Sequence, residues 1–339
     1  MPRSMSMKIA AAIVTLLALG ACIQWQSLGY YSRVILDGEN SRAVEDAPTL
    51  RARPLCSFGG DSTCVRLFVV GDWGSGMATQ VAVARAMAFV ARTERPHAVI
   101  STGDNFYPSG VAQAQDPLFR TRWEQVYADS ALQVPWIIAL GNHDHRGSID
   151  AQIAYGRQNR RWYLPAPYYA VTVAAAQTAV ALFVLDTDVL LSDRSSRRRQ
   201  LRWLDSALAV TTATVKIVVG HHPLRSYGLY GDTEVLVEQL KPILDRRGVM
   251  LYLCGHDHDI QVIEHPADRF VCVVSGNGGK SRRTRYGAFT KVAWTGGGFV
   301  YLACRADTSV VAQVIASDAH ALWCDTLGVH RQGLEPRTR

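Results

Sequence analysis

The sequence lacks the periodicities of fibrous proteins, because it has no collagen triplet, no heptad pattern and no repeat of fixed length. It also has few charges: 19% of its 339 residues are charged, whereas 48% are hydrophobic. This composition excludes a disordered chain, since the apolar surface is large enough to offset the entropy cost of ordering. The length allows two domains or one large α/β or sandwich domain.

Positive charge is in moderate excess, with a formal net charge of +7 at pH 7. An excess of this size suits an anionic substrate or surface. The basic residues are too dispersed along the chain to indicate a nucleic-acid partner. We therefore expect the chain to bind no nucleic acid.

Charge is absent from residues 9–21, which follow the basic residues Arg3 and Lys8. This run is shorter than the ~20 apolar residues of a membrane-spanning helix, and its position is typical of a secretory signal. Residues 19–22 read LGAC, which is similar to a bacterial lipobox with lipidation at Cys22. We expect an exported protein, either periplasmic or a lipoprotein facing the periplasm. The alternatives are an ordinary cleavage site and an uncleaved anchor.

The seven cysteines leave six when Cys22 is set aside. An exported chain meets an oxidising compartment, where disulfides form. Two pairings are plausible from the sequence, Cys56 with Cys64 and Cys304 with Cys324. The remaining two, Cys254 and Cys272, lie in apolar runs that are typical of buried free thiols. Connectivity is not fixed by spacing alone.

Apolar, strand-like runs alternate with helix-like segments over most of the chain, which predicts an α/β fold. Helices are predicted at 77–92, 200–208 and 233–246. Strands are predicted at 65–70, 98–101, 136–140, 168–173, 180–185, 215–219, 249–253, 270–274, 298–303 and 309–315.

Five of the apolar runs end in glycine followed by a polar cluster. The clusters read GDWG at 71–74, GDNFY at 103–107, GNHD at 141–144, GHHP at 220–223 and GHDH at 255–258. Ligands of open α/β sheets bind beyond the carboxyl ends of the strands, so the five clusters are expected to meet at one edge.

Taken singly, each polar residue in these clusters has a structural explanation, such as a turn or a helix cap. Together they offer two Asp, one Asn, one Tyr and three His, which suits two metal ions that share one carboxylate. The candidate ligands are Asp72, Asp104, Tyr107, Asn142, His221, His256 and His258.

The blocks GDxG, GDxxY, GNH, VxxH and GHxH resemble, in this order, those of the calcineurin-like metallophosphoesterases. The chain is most similar to the purple acid phosphatases of the small tartrate-resistant type. The resemblance implies a four-layer αββα sandwich with two mixed β-sheets flanked by helices. Together with the patterns at the two ends of the chain, it divides the sequence into a signal peptide at 1–21, a tether and lead-in at 22–64, a catalytic domain at 65–325 and a polar tail at 326–339.

The resemblance further implies which metals are bound. Fe(III) takes Asp72, Asp104, Tyr107 and His258, and a divalent ion, Fe(II), Zn(II) or Mn(II), takes Asn142, His221, His256 and the bridging Asp104. Most metallophosphoesterases have a histidine where this chain has Gly74. Tyr107 replaces that ligand in the family pattern, and its phenolate favours a trivalent ion.

The implied reaction is the hydrolysis of small phosphomonoesters at acidic pH. Hydroxide attacks phosphorus, and a histidine protonates the leaving alcohol. His143 is the first candidate for that histidine and His222 the second, with Asp144 orienting His143. Substrate contacts are expected from Asn142, His143, His222, Arg146 and Arg225. A basic loop with Arg282, Arg283 and Arg285 either binds phosphate or is solvated surface.

Three other functions remain open at this point. They are a phosphodiesterase or nucleotide hydrolase of the same superfamily, an iron-based redox surface protein, and a lipoprotein scaffold without activity. We expect a monomer whose only membrane contact is a lipid at Cys22.

Overall fold

The structure is a computed structural model, and it describes residues 45–46 and 50–328. The predicted signal segment, Cys22 and the end of the C-terminal tail lie outside the described residues. Among the described residues, no helix is long and apolar enough to cross a membrane.

The first large sheet has seven strands, which come from both the beginning and the end of the described domain. Its strands are β2 (Val65–Val70), β3 (Ala98–Ser101), β4 (Trp136–Ile138), β5 (Trp162–Tyr163), β14 (Gly298–Cys304), β15 (Val310–Ala316) and β16 (Ala321–Leu327). The spatial order is β16-β15-β14-β2-β3-β4-β5. The run from β2 to β5 is parallel, and β14 to β16 extend it by antiparallel pairing. The sheet is therefore mixed.

The second large sheet also has seven strands. They are β6 (Tyr169–Ala174), β7 (Ala179–Val184), β8 (Val215–Val219), β9 (Leu251–Cys254), β10 (Ile260–Ile263), β11 (Val271–Ser275) and β13 (Thr290–Trp294), in the order β13-β10-β11-β9-β8-β7-β6. The central strands β7, β8, β9 and β11 are parallel, and the outer strands pair antiparallel. A short ribbon pairs β1 (Glu45–Asp46) with β12 (Arg285–Tyr286).

Six α-helices complete the fold as the structure describes it. They are α1 (Ala78–Glu94), α2 (Ile149–Gln158), α3 (Thr187–Ser192), α4 (Arg194–Val210), α5 (Glu234–Gln239) and α6 (Lys241–Arg247). Helix α1 packs on the first sheet, against β14 and β15. The single helix predicted at 233–246 is wrong, because Pro242 lies in the first turn of α6 and separates it from α5. Proline has no backbone N–H and is favoured where a helix begins.

Two hydrophobic clusters hold the layers together. Successive side chains of a strand point to opposite faces of its sheet, and the second sheet shows this clearly. Leu182 and Leu253 belong to the cluster shared with the first sheet, whereas Phe183 and Tyr252 belong to the cluster shared with Leu204 of α4. The order of layers is therefore helix, sheet, sheet, helix, and the expected two mixed sheets flanked by helices are confirmed.

Residues 50–64, assigned above to a tether and lead-in, lie against the domain. Leu55 and Phe58 pack on the first cluster. The Glu94 side chain at the end of α1 accepts hydrogen bonds from the Ser57 hydroxyl at 2.6 Å and the Phe58 N–H at 2.7 Å. These contacts fix the approach of the chain to β2.

Candidate metal centre

The five polar clusters lie at the carboxyl ends of five parallel strands. Strands β2, β3 and β4 of the first sheet lead into the clusters with Asp72, Asp104 and Asn142. Strands β8 and β9 of the second sheet lead into those with His221 and His256. The site is therefore formed jointly by the two sheets.

Three of the candidate ligands adopt backbone conformations that L-residues rarely take. The φ angles are 56° at Asp72, 52° at Asp104 and 67° at His256. Such strain is concentrated at functional sites, where the surrounding structure holds it. The glycine before Asp104 is also required, since Gly103 has φ 98° and a Cβ there would lie 2.7 Å from Nδ1 of His221.

One group of ligand atoms gathers around the Tyr107 hydroxyl. The hydroxyl oxygen lies 2.9 Å from Oδ1 of Asp72 and 2.9 Å from Oδ2 of Asp104, within hydrogen-bond distance of both. Nε2 of His258 lies 3.3 Å from the hydroxyl and 3.4 Å from Oδ1 of Asp72. These four side chains are those that the resemblance assigns to Fe(III).

A second group gathers around Nε2 of His221. This atom lies 3.2 Å from Oδ1 of Asn142, 3.2 Å from Nδ1 of His256 and 3.5 Å from Oδ1 of Asp104. Asp104 thus offers one carboxylate oxygen to each group, which is the arrangement required of a bridging ligand.

Backbone donors orient both carboxylates. The His256 N–H donates to Oδ2 of Asp72 at 3.0 Å, and the His143 N–H donates to Oδ1 of Asp104 at 2.8 Å. Nδ1 of His221 lies 2.9 Å from the Thr102 carbonyl oxygen. The carbonyl accepts a hydrogen bond from the Nδ1–H group, and Nε2 then keeps a free lone pair, as a metal ligand requires.

The electrostatics of the set fit a bound cation. Asp72 and Asp104 are buried, and burial raises the pKa of Asp72 well above its usual range. Burial and these two carboxylates also raise the pKa of Tyr107, so its phenol stays protonated unless a cation lies beside it. Among the described residues, Asp72, Asp104 and His221 offer ligand atoms within 4.8 Å of one another. The donor set of oxygen and imidazole nitrogen suits iron, zinc and manganese.

Burial holds two of the histidine ligands neutral, His256 and His258, whereas at His221 the carboxylates of Asp104 and Asp72 outweigh burial and raise the pKa. The pKa of His256 falls well below its ordinary value because of burial. Burial, with Arg282 nearby, lowers the pKa of His258 to about 4. Neutral imidazole is the form that coordinates metals.

His143 lies at the mouth of the centre, and its partner is different from the one expected. Its Nδ1 is 2.6 Å from the Pro108 carbonyl oxygen, and its Nε2 is 3.9 Å from Oδ2 of Asp104. The side chain is 23% exposed, and Nη1 of Arg146 is 3.2 Å from Nδ1. His143 and Arg146 are therefore neighbours at the mouth of the centre.

The interpretation of Asp144 as the residue that orients the His143 ring is wrong. The Asp144 side chain is buried and accepts hydrogen bonds from the N–H of Gly141 at 2.9 Å, the N–H of Asn105 at 3.1 Å and Nε2 of Gln152 at 3.0 Å. The carboxylate turns toward these donors because a buried acceptor must be paired. Asp144 joins the loop after β3 to the loop after β4.

Substrate contact was expected from both His222 and Arg225, and the structure places the two side chains differently. The His222 ring is buried, with Nδ1 2.9 Å from the Thr187 hydroxyl and its centre 4.5 Å from that of His256. Arg225 is the clearer correction, because Nε and Nη2 bind Asp268 at 2.9 and 3.0 Å and Nη1 binds Asp232 at 2.7 Å. Its guanidinium is committed to ion pairs within the protein.

Two residues beside the centre, Tyr230 and Lys280, were not predicted from the sequence, and the role of a third, Arg282, was left open. The Tyr230 ring stacks on His256 at 4.2 Å, and Nη1 of Arg282 donates to its hydroxyl at 2.9 Å. Nζ of Lys280 lies 5.7 Å from the centre of the Tyr107 ring. The signal available for Lys280 was its place directly after a glycine-rich stretch, and for Tyr230 its place between two glycines in the loop after β8.

The fold and the donor set together define a class of protein. Residues 65–259, more than half of the chain, match the calcineurin-like phosphoesterase family. The chain belongs to this family, and the matched range contains all seven candidate ligands.

Particular relatives narrow the class. Human tartrate-resistant acid phosphatase type 5 is 39% identical over 228 residues, which cover 60% of this chain and 70% of the relative. Purple acid phosphatase 17 of Arabidopsis thaliana is 34% identical over 271 residues, covering 74% and 75%. A solved structure, GAP50, described as the anchor in the inner membrane complex of Plasmodium, superposes with TM-score 0.73 at 25% identity, covering 79% and 89%.

The chain is therefore a homologue of the tartrate-resistant and plant purple acid phosphatases. It is a phosphoester hydrolase, and its activity is that of a metal-dependent phosphatase. The family implies a dinuclear metal centre, and the buried Asp72, Asp104 and His221 lie where that centre is expected.

Proposed function

We propose that this chain is an acid phosphatase that hydrolyses small phosphomonoesters with an Fe(III)–M(II) centre, M being iron, zinc or manganese. One observation carries the assignment of iron. The Tyr107 hydroxyl lies 2.9 Å from carboxylate oxygens of both Asp72 and Asp104. At Gly74, where most superfamily members have a histidine ligand, a Cβ would overlap the Asn105 carbonyl oxygen. The phenol thus replaces an imidazole that the backbone has no room for.

The proposed ligands divide as the two groups of atoms do. Asp72, Tyr107 and His258 hold the trivalent ion, Asn142, His221 and His256 hold the divalent ion, and Asp104 bridges. Metal ions held there supply Lewis acidity, which lowers the pKa of water and offsets the charge of a phosphoryl group.

The side chains around the centre have the remaining tasks. Because the Pro108 carbonyl accepts from Nδ1 of His143, Nε2 faces the centre and can carry a second proton to the leaving alcohol. Arg146 lies beside this ring and offsets the negative charge of the substrate. Asp144 supports the reaction indirectly, through the two loops that it joins.

The experiment on iron uses the visible charge-transfer band of an Fe(III)–phenolate pair. The protein, loaded with iron and oxidised, is expected to show this band, and Tyr107→Phe is expected to lose it. Tyr230→Phe is the matched control, since Tyr230 stacks on His256 outside the ligand set, and it should keep the band. A colourless wild-type protein with iron bound would overturn the proposal.

Substrate class is tested by comparing kcat/KM for phenyl phosphate with that for bis(p-nitrophenyl) phosphate at acidic pH. We expect the monoester to be preferred by at least about tenfold. Preference for the diester would instead support the phosphodiesterase alternative. Redox chemistry at the iron without hydrolysis of either ester would support the redox alternative.

We also propose export and lipid attachment at Cys22, on the sequence pattern alone. Metabolic labelling with a fatty-acid analogue should label the wild-type chain but not Cys22→Ser, whereas Cys56→Ser should be labelled normally. A wild-type chain that takes up no label would contradict the lipoprotein assignment.

A further inference from the structure

The six cysteines that the structure describes are free thiols, and they differ in exposure. Cys64, Cys254, Cys272 and Cys304 are buried, whereas Cys56 and Cys324 are partly exposed. An oxidant in solution can therefore reach the last two without unfolding the protein. Cys56 and Cys324 are not adjacent in sequence to any candidate ligand, and the proposed mechanism uses neither of them.

A buried glutamine brings these two cysteines together. Gln313 of β15 is the direct cross-strand partner of Cys324 of β16. Residues opposite each other in an antiparallel pair have Cβ atoms about 4.5–5.5 Å apart on the same face. The Gln313 side chain also holds Cys56, since Oε1 accepts from the Cys56 N–H at 2.9 Å and Nε2 donates to its carbonyl oxygen at 2.7 Å.

Two further contacts place the segment with Cys56 beside Cys324. The Arg53 N–H donates to the Ala321 carbonyl oxygen at 2.7 Å, so residues 53–56 run next to β16. Burial and a hydrogen bond with the Cys56 thiol raise the pKa of Cys324 to about 12. The segment that carries Cys56 is therefore held against the strand that carries Cys324.

The disulfide that the sequence made plausible between Cys304 and Cys324 does not fit this geometry. Strand β15 separates Cys304 of β14 from Cys324 of β16, and sheet strands are spaced about 4.8 Å apart. The two residues are also displaced along the strands, because Cys304 pairs with Val310 while Cys324 pairs with Gln313. Disulfides require Cα atoms within about 7 Å, which this separation exceeds.

We propose that Cys56 and Cys324 are a disulfide-forming pair that covalently joins the lead-in segment to the last strand of the first sheet. The bond forms by exchange with a disulfide-bearing oxidant. One cysteine attacks the oxidant's disulfide and displaces a thiol, and the second cysteine displaces the other thiol from the mixed disulfide. The cysteines are oxidised by two electrons, and the oxidant is reduced to two thiols that take up both protons.

The cross-link would close a loop that contains nearly the whole domain. A long closed loop restricts the unfolded chain strongly, so the bond is expected to stabilise the folded state. Since the pair lies at the far edge strand of the first sheet, hydrolytic activity should not depend on it.

The test oxidises the full chain with oxidised glutathione, digests it without reduction and maps the disulfides by mass spectrometry. A peptide that links Cys56 to Cys324 is expected from the wild type and from Cys254→Ala, and it should be absent from Cys56→Ser and Cys324→Ser. The oxidised wild type should unfold at a Tm about 10 °C above that of the reduced protein, a shift that neither serine variant shows.

Two outcomes would overturn the proposal. One is a stable glutathione adduct on Cys56 or Cys324 in place of the cross-link, and the other is a cross-link to a different cysteine. The map of the wild-type chain decides between these results even if one serine variant fails to fold.

Discussion

At the scale of single residues, His143 and His222 are adjacent to ligands but differ in what they face. His143 is at the mouth with Nε2 directed toward Asp104, whereas His222 is buried and its Nδ1 is used by Thr187. Burial lowers the pKa of both rings, and for His222 the pKa falls well below its ordinary value. The proposed proton donation to a leaving alcohol is therefore assigned to His143 rather than to His222.

Replacing His143 by alanine should slow hydrolysis in a way that depends on the leaving group. For a poor leaving group such as an alkyl alcohol, we expect kcat to fall about 10²- to 10⁴-fold, because the proton donor is lost. For p-nitrophenol, which leaves without protonation, the loss should be much smaller. The measurement is kcat across a series of monoesters with leaving groups of increasing pKa.

The matched control for this series is His222→Asn, which keeps a polar group near Thr187. It should leave the dependence of kcat on leaving-group pKa unchanged. If His143→Ala shows the same dependence as the wild type, His143 is not the proton donor.

The sequence was informative about which residues gather and less so about how they are held. Each candidate ligand follows a buried strand closely, and this local pattern was enough to bring Asp72 and His221 to one edge. The hydrogen-bond partners of Asp144 and Arg225 could not be predicted, because they lie on loops that are distant in sequence. Asp268 lies far along the chain from Arg225, and no periodicity links the two.

At the scale of elements, the ligand loops are anchored by an aromatic cluster. Trp73 follows Asp72 and Phe106 precedes Tyr107, and both are fully buried with ring centres 5.9 Å apart. Phe106 also stacks on Trp162 of β5 at 5.7 Å. The loops after β2 and β3 are thus fixed by residues directly beside their ligands.

Phe106→Ala should therefore affect both stability and metal binding. Removing a buried phenylalanine costs about 3–5 kcal/mol of unfolding free energy, and the cavity would loosen the neighbouring Tyr107. Denaturant unfolding and the metal content of the purified variant measure the two effects. Phe89→Ala is the control, since Phe89 on α1 is 62% exposed and should change the free energy by less than about 0.5 kcal/mol. Equal stability of the two variants would show that the cluster does not support the loops.

Elements with continuous apolar runs were predicted closely, and those without were missed. The strands at Val65–Val70 and Val215–Val219 agree with prediction in both bounds. Among the strands of the two large sheets, β5, β10, β13 and β16 were not predicted. Thr290–Trp294 contains an exposed lysine, and Ala321–Leu327 contains exposed Asp325 and Thr326, so neither reads as a buried strand. Their strand conformation comes from pairing with neighbours, which a local pattern does not report.

At the scale of the whole molecule, both sheets supply candidate ligands to the metal centre. Asp72, Asp104, Tyr107 and Asn142 come from loops of the first sheet, and His221, His256 and His258 come from loops of the second. The hydrophobic cluster between the sheets holds them face to face elsewhere. At this edge, buried carboxylates replace apolar contacts, and bound cations would join the sheets there.

Removing the metals should therefore destabilise the entire domain rather than one loop. A ligand that binds only the folded state stabilises it by about 4 kcal/mol at a thousand times its Kd, so chelation at neutral pH should lower Tm by about 10 °C. Without cations, burial and the neighbouring Asp104 make a negative charge on Asp72 unfavourable in the folded state, which is why the pKa of Asp72 is raised. Asp72→Asn should then raise the Tm of the metal-free protein while lowering that of the metal-loaded protein, which loses a ligand.

Asp205→Asn, which removes a carboxylate paired with Arg247 at the surface, should lower both Tm values to a similar, small extent. Calorimetry of the three proteins with and without chelator measures these shifts, and an unchanged Tm for the chelated wild type would refute the idea that the metals join the sheets.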